Sequence, residues 1–343
     1  MKAAFFDGEG SMEVRDFPDP VPGIGDAIID VKSTGICGSD LLMNAEKTAA
    51  DEVPAGHEVA GEIIDVGPGV SKDLVGSRVA IETIGHGRSC GECWYCRMGQ
   101  YRQCLDMAPQ EGGGFAEYIK RRASGCYTVS DSMTWSESAL VEPLAVSIHG
   151  VRRGALSGGQ TVAILGSGTI GLTAVVAARQ LGAGTIIVTA RHKQQADMAL
   201  ALGADYAVSS EGDELRDLLF DKTEGRGSDI TIETVGGKKP DTLIQSIDVT
   251  RMQGKIVILG GFRNPLTIDW LTPLLKEQSF IFSQCYSIID GIHDYELAVD
   301  MLAHRNTQLG EIVTHKFPLG DIEKGFQTAY NKSTGSIKVQ IHQ

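Results

Sequence analysis

The chain has 343 residues, too many for one comfortable core and suited to two domains. Hydrophobic residues make up 42%, enough for a full-size core, and the 42 glycines signal many turns and close backbone approaches. A net charge of −13 argues against phosphate-backbone binding to nucleic acid, and no basic run offers itself to an anionic membrane.

The opening MKAAFFDGEGSMEVRDF lacks the basic-then-apolar layout of a secretory signal. No apolar run reaches the roughly 18 residues needed to span a bilayer, so a reducing cytoplasm is the expected location. Residues 1–145 read as a β-rich domain. Short apolar runs at 27–31 and 59–64 stand between Gly/Pro turns, and Pro18, Pro20 and Pro22 punctuate an early loop. Gly112-Gly113-Gly114 precedes another strand candidate at 115–119.

Within this stretch Cys90-Gly-Glu-Cys93-Trp-Tyr-Cys96 is followed, after seven residues, by Cys104. Four thiolates folded back by tight turns can close a tetrahedral shell around Zn²⁺ with no position left for substrate, which is a structural site. Two disulfides or four unrelated core thiols are the alternatives. Cysteine pairs two residues apart, in a chain without an export signal, favour one shared ion. Cys126 and Cys285 stand apart and are expected as buried apolar residues.

From residue 146 the pattern changes. Apolar runs at 162–165, 186–188, 229–232 and 255–259 alternate with helical segments, the first at 173–178. That alternation predicts a doubly wound parallel sheet with helices on both faces over 146–283. Gly166-Ser167-Gly168-Thr169-Ile170-Gly171 follows a buried strand and opens an alanine-rich helix, the context in which such a loop takes a dinucleotide. Its glycines permit the turn, the approach of a pyrophosphate and close helix packing, and the helix N-terminus offers free N–H groups to the anion.

An NAD loop of this kind usually ends its second strand in Asp or Glu. Here Ala190 holds that place, followed by Arg191, His192 and Lys193. Losing the carboxylate removes repulsion against a 2′-phosphate, which a guanidinium can grip. NADP is therefore expected over NAD, against a solvated basic turn with no preference. After residue 284 an amphipathic helix is expected from Asp294, and the tail at 336–341 alternates like a half-exposed strand. Residues 284–343 are expected to return to the first domain.

Three segments carry a second set of ligand types: Cys37-Gly-Ser39-Asp40, Gly56-His57-Glu58 and Glu142-Pro143. Singly, Cys37 reads as a buried thiol and His57 as a core histidine. Beside a structural zinc lobe and a dinucleotide loop, thiolate, imidazole and a carboxylate suit an open zinc site. In these motifs and their order the chain resembles the zinc-dependent medium-chain dehydrogenases/reductases, in the polyol (sorbitol), threonine and butanediol dehydrogenase branch.

The resemblance implies a GroES-like catalytic domain, a Rossmann domain and two Zn²⁺ per subunit. It implies Cys37 and His57 as catalytic zinc ligands, Glu58 as a ligand or close partner, and Glu142 as a carboxylate at the metal, directly or through water. Ser39 resembles the hydroxyl residue that passes the alcohol proton outward. The chain departs from the family where a histidine or tyrosine commonly follows this segment, since Leu41-Leu42-Met43-Asn44 stand there; the next loop is short and acidic, with Glu46, Asp51 and Glu52.

The expected reaction is hydride exchange between a small-molecule secondary alcohol and its ketone, zinc acting on the oxygen. A zinc-free NADPH-dependent quinone or enone reductase and a non-catalytic NADPH-binding sensor are the competing readings. His149 is expected as a packed histidine. The resemblance implies association through the nucleotide-binding domains, often sheet edge to sheet edge, so a homodimer or homotetramer is expected; residues 280–282 are the apolar candidate for such an edge, with burial inside the monomer as the alternative.

Overall fold

The computed structural model describes residues 1–46, 52–304 and 307–343. Asp51, one of the acidic positions noted above, lies outside them. The chain divides into two compact units. One gathers Met1–Glu142 with later stretches beginning at Tyr286 and Gly310; the other is Pro143–Cys285 with Thr307–Leu309.

The first unit is built on a seven-stranded sheet. Its path runs Val313–Pro318, Lys338–His342, Asp26–Gly35, Glu58–Val66, Arg78–Glu82 and Cys126–Thr128, with Tyr118–Arg122 also paired to Asp26–Gly35. All pairings are antiparallel except that of Val313–Pro318 with Lys338–His342. One core packs Ile29, Val31, Val59, Ile63, Val79 and Ile81; another gathers Phe6, Phe115, Phe326, Val339 and Ile341. Each such fully buried side chain contributes about 1.5–3 kcal/mol.

The tail is where the structure corrects the sequence pattern. Lys338–His342 is a strand whose first four residues are all buried, not a half-exposed one. It lies between two strands, so its polar positions face inward and find partners there. Gln340 accepts from Ser33 and donates to Ser136, and Lys338 reaches Glu58. Alternation marks the two faces of a strand but does not say that the polar face is wet. Cys126 and Cys285 are likewise half-buried rather than buried.

The second unit is an all-parallel six-stranded sheet in the order Tyr206–Ser209, Thr185–Ala190, Thr161–Leu165, Ser228–Glu233, Thr250–Ile258 and Ser279–Phe282. The first three strands in sequence run outward in one direction and the last three in the other. The order reverses between Thr161–Leu165 and Ser228–Glu233, the place where open α/β sheets take ligands beyond the strand ends. Leu165, Ile187, Leu215 and Leu219 share one core, and Leu243, Ile247, Ile256 and Ile258 another. Strands buried on both faces read as continuous apolar runs, which is why they were legible. No helix of the described residues is long and apolar enough to cross a membrane.

Candidate metal and coenzyme sites

The strand Asp26–Gly35 delivers Cys37 to the start of the helix Gly38–Ala45. There Asp40 accepts the Cys37 N–H at 2.9 Å, which fixes the turn. His57 enters from the other side, just before the strand Glu58–Val66, and its carbonyl accepts the Thr83 hydroxyl at 3.2 Å. Ligand atoms of Cys37, His57 and Glu58 come within 4.8 Å of one another. Thiolate, imidazole and carboxylate form the donor set that Zn²⁺ takes with a position to spare. Glu142, at the start of the helix Val141–Arg153, does not join this cluster, although it is close enough to act on His57 electrostatically. Ser39 lies exposed in the first turn of the helix that follows Cys37.

The cluster carries a surplus of negative charge. Burial works against the His57 cation, but Asp40, with its Oδ1 3.6 Å from Nδ1, and Cys37 together hold the ring's pKa well above its ordinary value. Asp40 is raised by its own burial, and His57 resists that rise. Burial pushes the Glu142 carboxyl up to about 7. Without a metal, protons must neutralise such a set; a divalent cation does so with the ligands deprotonated, so the residues fit zinc.

Two residues here were not anticipated. Asp40 stands out in the sequence only as part of a motif, yet it accepts the Cys37 N–H and lies against His57. Lys338 gave no signal at all: its Nζ pairs with Glu58 and donates to the Ile36 carbonyl at 2.9 Å. Gly35 is required by that contact, because a Cβ there would lie 1.9 Å from Glu58 Oε2 and 2.8 Å from Lys338 Cε.

In the cysteine lobe four thiols come together. All seven cysteines are free thiols, and Cys90, Cys93, Cys96 and Cys104 bring their sulfurs together. Cys96 Sγ is 3.9 Å from Cys90 Sγ and 3.5 Å from Cys93 Sγ. Tetrahedral zinc with bonds of about 2.3 Å sets sulfurs about 3.8 Å apart. Backbone N–H groups of Glu92 and Cys93 point at Cys90 Sγ and that of Asp106 at Cys104 Sγ. N–H groups of Leu105 and Cys96 hold the Cys93 thiol down at about 6, whereas burial pushes Cys96 up to about 12.

Glu82, His86 and His293 form a third group with ligand atoms equally close. Hydrogen bonding argues against an ion there. The Tyr295 N–H donates to His293 Nδ1 at 3.0 Å, so the neutral ring carries its proton on Nε2, which faces Glu82 Oε1 at 3.5 Å. A protonated ring nitrogen is a donor, not a ligand. The Tyr127 hydroxyl donates to Glu82 Oε2 at 3.1 Å and lies 3.1 Å from His86 Nδ1.

In the second unit the glycine loop has the dimensions of a phosphate cradle. Gly166 is left-handed at φ 96°, and a Cβ on Gly171 would sit 1.9 Å from the Gly166 carbonyl. A Cβ on Gly168 would meet nothing within 4 Å, so this is the open face of the loop. Gly168 caps the helix Thr169–Gln180 with no side chain, leaving its first N–H groups for an anion, and the buried Ser167 hydroxyl has no partner among the described residues. Ala190 ends its strand, Arg191 is exposed beyond it, and His192 caps the helix Lys193–Ala201. Lys193 is drawn to Asp197 at 2.6 Å, which leaves Arg191 as the basic group of this turn without an ion pair among the described residues. His149 is buried, as expected.

Residues 23–131 match the alcohol dehydrogenase GroES-like domain and residues 169–304 the zinc-binding dehydrogenase domain. The chain is 31% identical over 352 residues to a sorbitol dehydrogenase of Bacillus subtilis, covering 100% of this chain and 97% of the relative. With the sorbitol dehydrogenase of Gallus gallus it is 31% identical over 345 residues, 97% of this chain and 93% of the relative. Among solved structures it resembles an Escherichia coli oxidoreductase/dehydrogenase of unknown specificity, with TM-score 0.90 and 29% identity over 99% of this chain and 98% of that one. It resembles 2R,3R-butanediol dehydrogenase from Bacillus subtilis with TM-score 0.84 and 27% identity over 100% of this chain and 99% of that one. Two domain matches in order and a full-length likeness to polyol dehydrogenases leave one assignment: the chain belongs to the zinc-dependent medium-chain dehydrogenases/reductases and is an alcohol/polyol dehydrogenase.

Proposed function

We propose that this enzyme interconverts a secondary alcohol of polyol, sugar or amino-alcohol type and the corresponding ketone, with NADP as coenzyme and two zinc ions per subunit. The convergence of Cys37, His57 and Glu58 on one point supports this reading most directly. In the proposal the unit containing Met1–Glu142 is catalytic and that containing Pro143–Cys285 binds the nucleotide. When bound, zinc supplies a Lewis acid for the substrate oxygen, and the nicotinamide accepts or returns the hydride.

The chain's own residues do the rest. Cys37 and His57 hold the metal, and Glu58 stands as ligand or exchangeable partner. Asp40 keeps His57 aimed at it. Lys338 holds Glu58 in place through their ion pair, and Glu142 would stand at the metal directly or through water. Ser39 takes the hydroxyl proton and passes it outward. The four-cysteine lobe holds the second zinc and has no chemical part.

NADP follows from Ala190 and Arg191, and the relatives' diol and polyol substrates suggest the substrate class. The outer edge of Ser279–Phe282, which pairs with no further strand among the described residues and carries the exposed Phe282 with Trp270 packed on Phe280, suits a second copy in a homodimer or homotetramer. A cytoplasmic location agrees with seven free thiols. The zinc-free reductase reading has against it the complete donor set.

Metal analysis of the purified enzyme should give two zinc ions per subunit, and a panel of polyols, sugars and amino alcohols should show turnover with NADP above NAD. His57→Ala should lose activity and one zinc while keeping its fold. Full activity in a His57→Ala protein holding only one zinc would sink the mechanism, and a clear NAD preference would sink the coenzyme choice.

A further inference from the structure

We infer that Glu233, a residue outside every motif and site described so far, is a positioning residue for the nicotinamide coenzyme. Its carboxylate holds the turn at 234–237 in place against the glycine loop. The inference rests on the coenzyme reading proposed above.

Glu233 is the last residue of the strand Ser228–Glu233 and pairs across the sheet with Leu165, the residue before Gly166. It therefore stands at the reversal of strand order, on the side where ligands bind in such sheets. The residue is 0% exposed. One carboxylate oxygen, Oε1, collects three donors: the N–H of Val235 at 2.9 Å, the N–H of Gly236 at 2.8 Å and the Thr242 hydroxyl at 2.8 Å. The first two belong to the turn, and the third belongs to the helix Asp241–Val249 behind it. One oxygen thus ties a turn to the helix that follows it.

The turn has little freedom beyond this. Thr234 bonds the Leu165 carbonyl through its N–H at 3.1 Å and its hydroxyl at 2.7 Å. Val235 is pressed so close to the glycine loop that a Cβ on Gly166 would lie 2.7 Å from its Cγ2. On the far side, a Cβ on Gly236 would sit 2.5 Å from the Gly261 nitrogen. The Glu233 carbonyl accepts from Leu259 at 2.9 Å and Gly260 at 3.1 Å, so the same residue joins three strand ends.

The second oxygen, Oε2, has no donor among the described residues and is walled in by Gly260, where a Cβ would come within 2.3 Å. A buried carboxylate with no Lys or Arg against it among the described residues is an expensive way to stabilise a fold, since an apolar side chain would avoid the desolvation. What the carboxylate supplies, and an apolar group does not, is convergent acceptance from two successive N–H groups of the turn. That fixes the wall facing the glycine loop before coenzyme arrives, so binding does not have to order it.

The test uses full-length, zinc-loaded protein as Glu233→Ala and Glu233→Gln, with Thr242→Val to remove a single donor should the alanine variant fail to fold. Dissociation constants for NADPH and NADH are read from nucleotide fluorescence, beside zinc content, thermal midpoint and steady-state kinetics. Glu233→Ala should bind either coenzyme about tenfold more weakly, the effect of losing convergent buried hydrogen bonds, with kcat at saturating coenzyme and the alcohol KM within about threefold of the parent. Glu233→Gln, which retains an acceptor oxygen, should bind within about threefold of the parent, and Thr242→Val about threefold more weakly. A merely structural part would lower the thermal midpoint without separating coenzyme binding from kcat, and that outcome overturns the inference. So does a folded Glu233→Ala or Thr242→Val protein that binds coenzyme like the parent. A parent that binds neither NADPH nor NADH overturns the coenzyme reading itself, and this inference with it.

Discussion

Replacing Lys338 by methionine keeps the length and apolar stem of the side chain and deletes the ammonium group. Lys338 and Glu58 are each 1% exposed, so no solvent reaches in to compensate the stranded carboxylate, and the Ile36 carbonyl loses its donor as well. Removing one partner of a buried ion pair costs about 3–5 kcal/mol. At about 2–4 °C per kcal/mol for a unit of this size, the thermal midpoint should fall by about 6–20 °C. Thermal and urea unfolding of the zinc-loaded protein measure the loss. The double variant Glu58→Gln/Lys338→Met leaves no unpaired charge and should recover a large part of it, an interaction visible only as non-additivity. A single variant that loses less than about 1 kcal/mol, or a double variant as unstable as the two singles summed, would refute the reasoning.

Other consequences follow from the same geometry. Cys93→Ser should remove one zinc per subunit and lower the unfolding midpoint, because that metal's binding energy is part of folding; an unchanged zinc count would contradict a four-thiolate site. Ala190→Asp should move coenzyme preference toward NAD by about tenfold or more in kcat/KM, through repulsion of a 2′-phosphate. His86 has its pKa lowered, chiefly by burial and further by His293, against the opposing pull of Glu82. The folded state therefore prefers the neutral ring. Its contribution to stability is present above the unfolded value of 6.5 and is lost as the pH falls through the lower folded value. The thermal midpoint of His86→Gln should accordingly decline less than that of the parent on acidification from about pH 7 to about pH 5.

The long-range site was legible to different depths in different places. Cys90, Cys93, Cys96 and Cys104 could be read because their spacing alone brings the sulfurs together. The loop from Gly166 to Gly171 could be read because glycine is demanded at each close approach, and its neighbours are strands buried on both faces. Cys37, His57 and Glu58 could be named only as a set, since each alone is an ordinary core residue. Glu142 was placed among them by motif, but its carboxylate stands outside the three-donor cluster.

Local order along the chain was enough to specify the metal lobe, the phosphate loop and the alternation of a parallel sheet, because each depends on residues only a few positions apart. Tertiary structure alone decided what the buried polar groups do. Lys338 meets Glu58 only because the final strand pairs beside Asp26–Gly35, and Asp40 meets His57 only because a helix and a strand begin at one place. Glu233 gathers its three donors only where strand order reverses. A side chain's charge is written in its residue type, but its partner is set by which distant strand the sheet places alongside it.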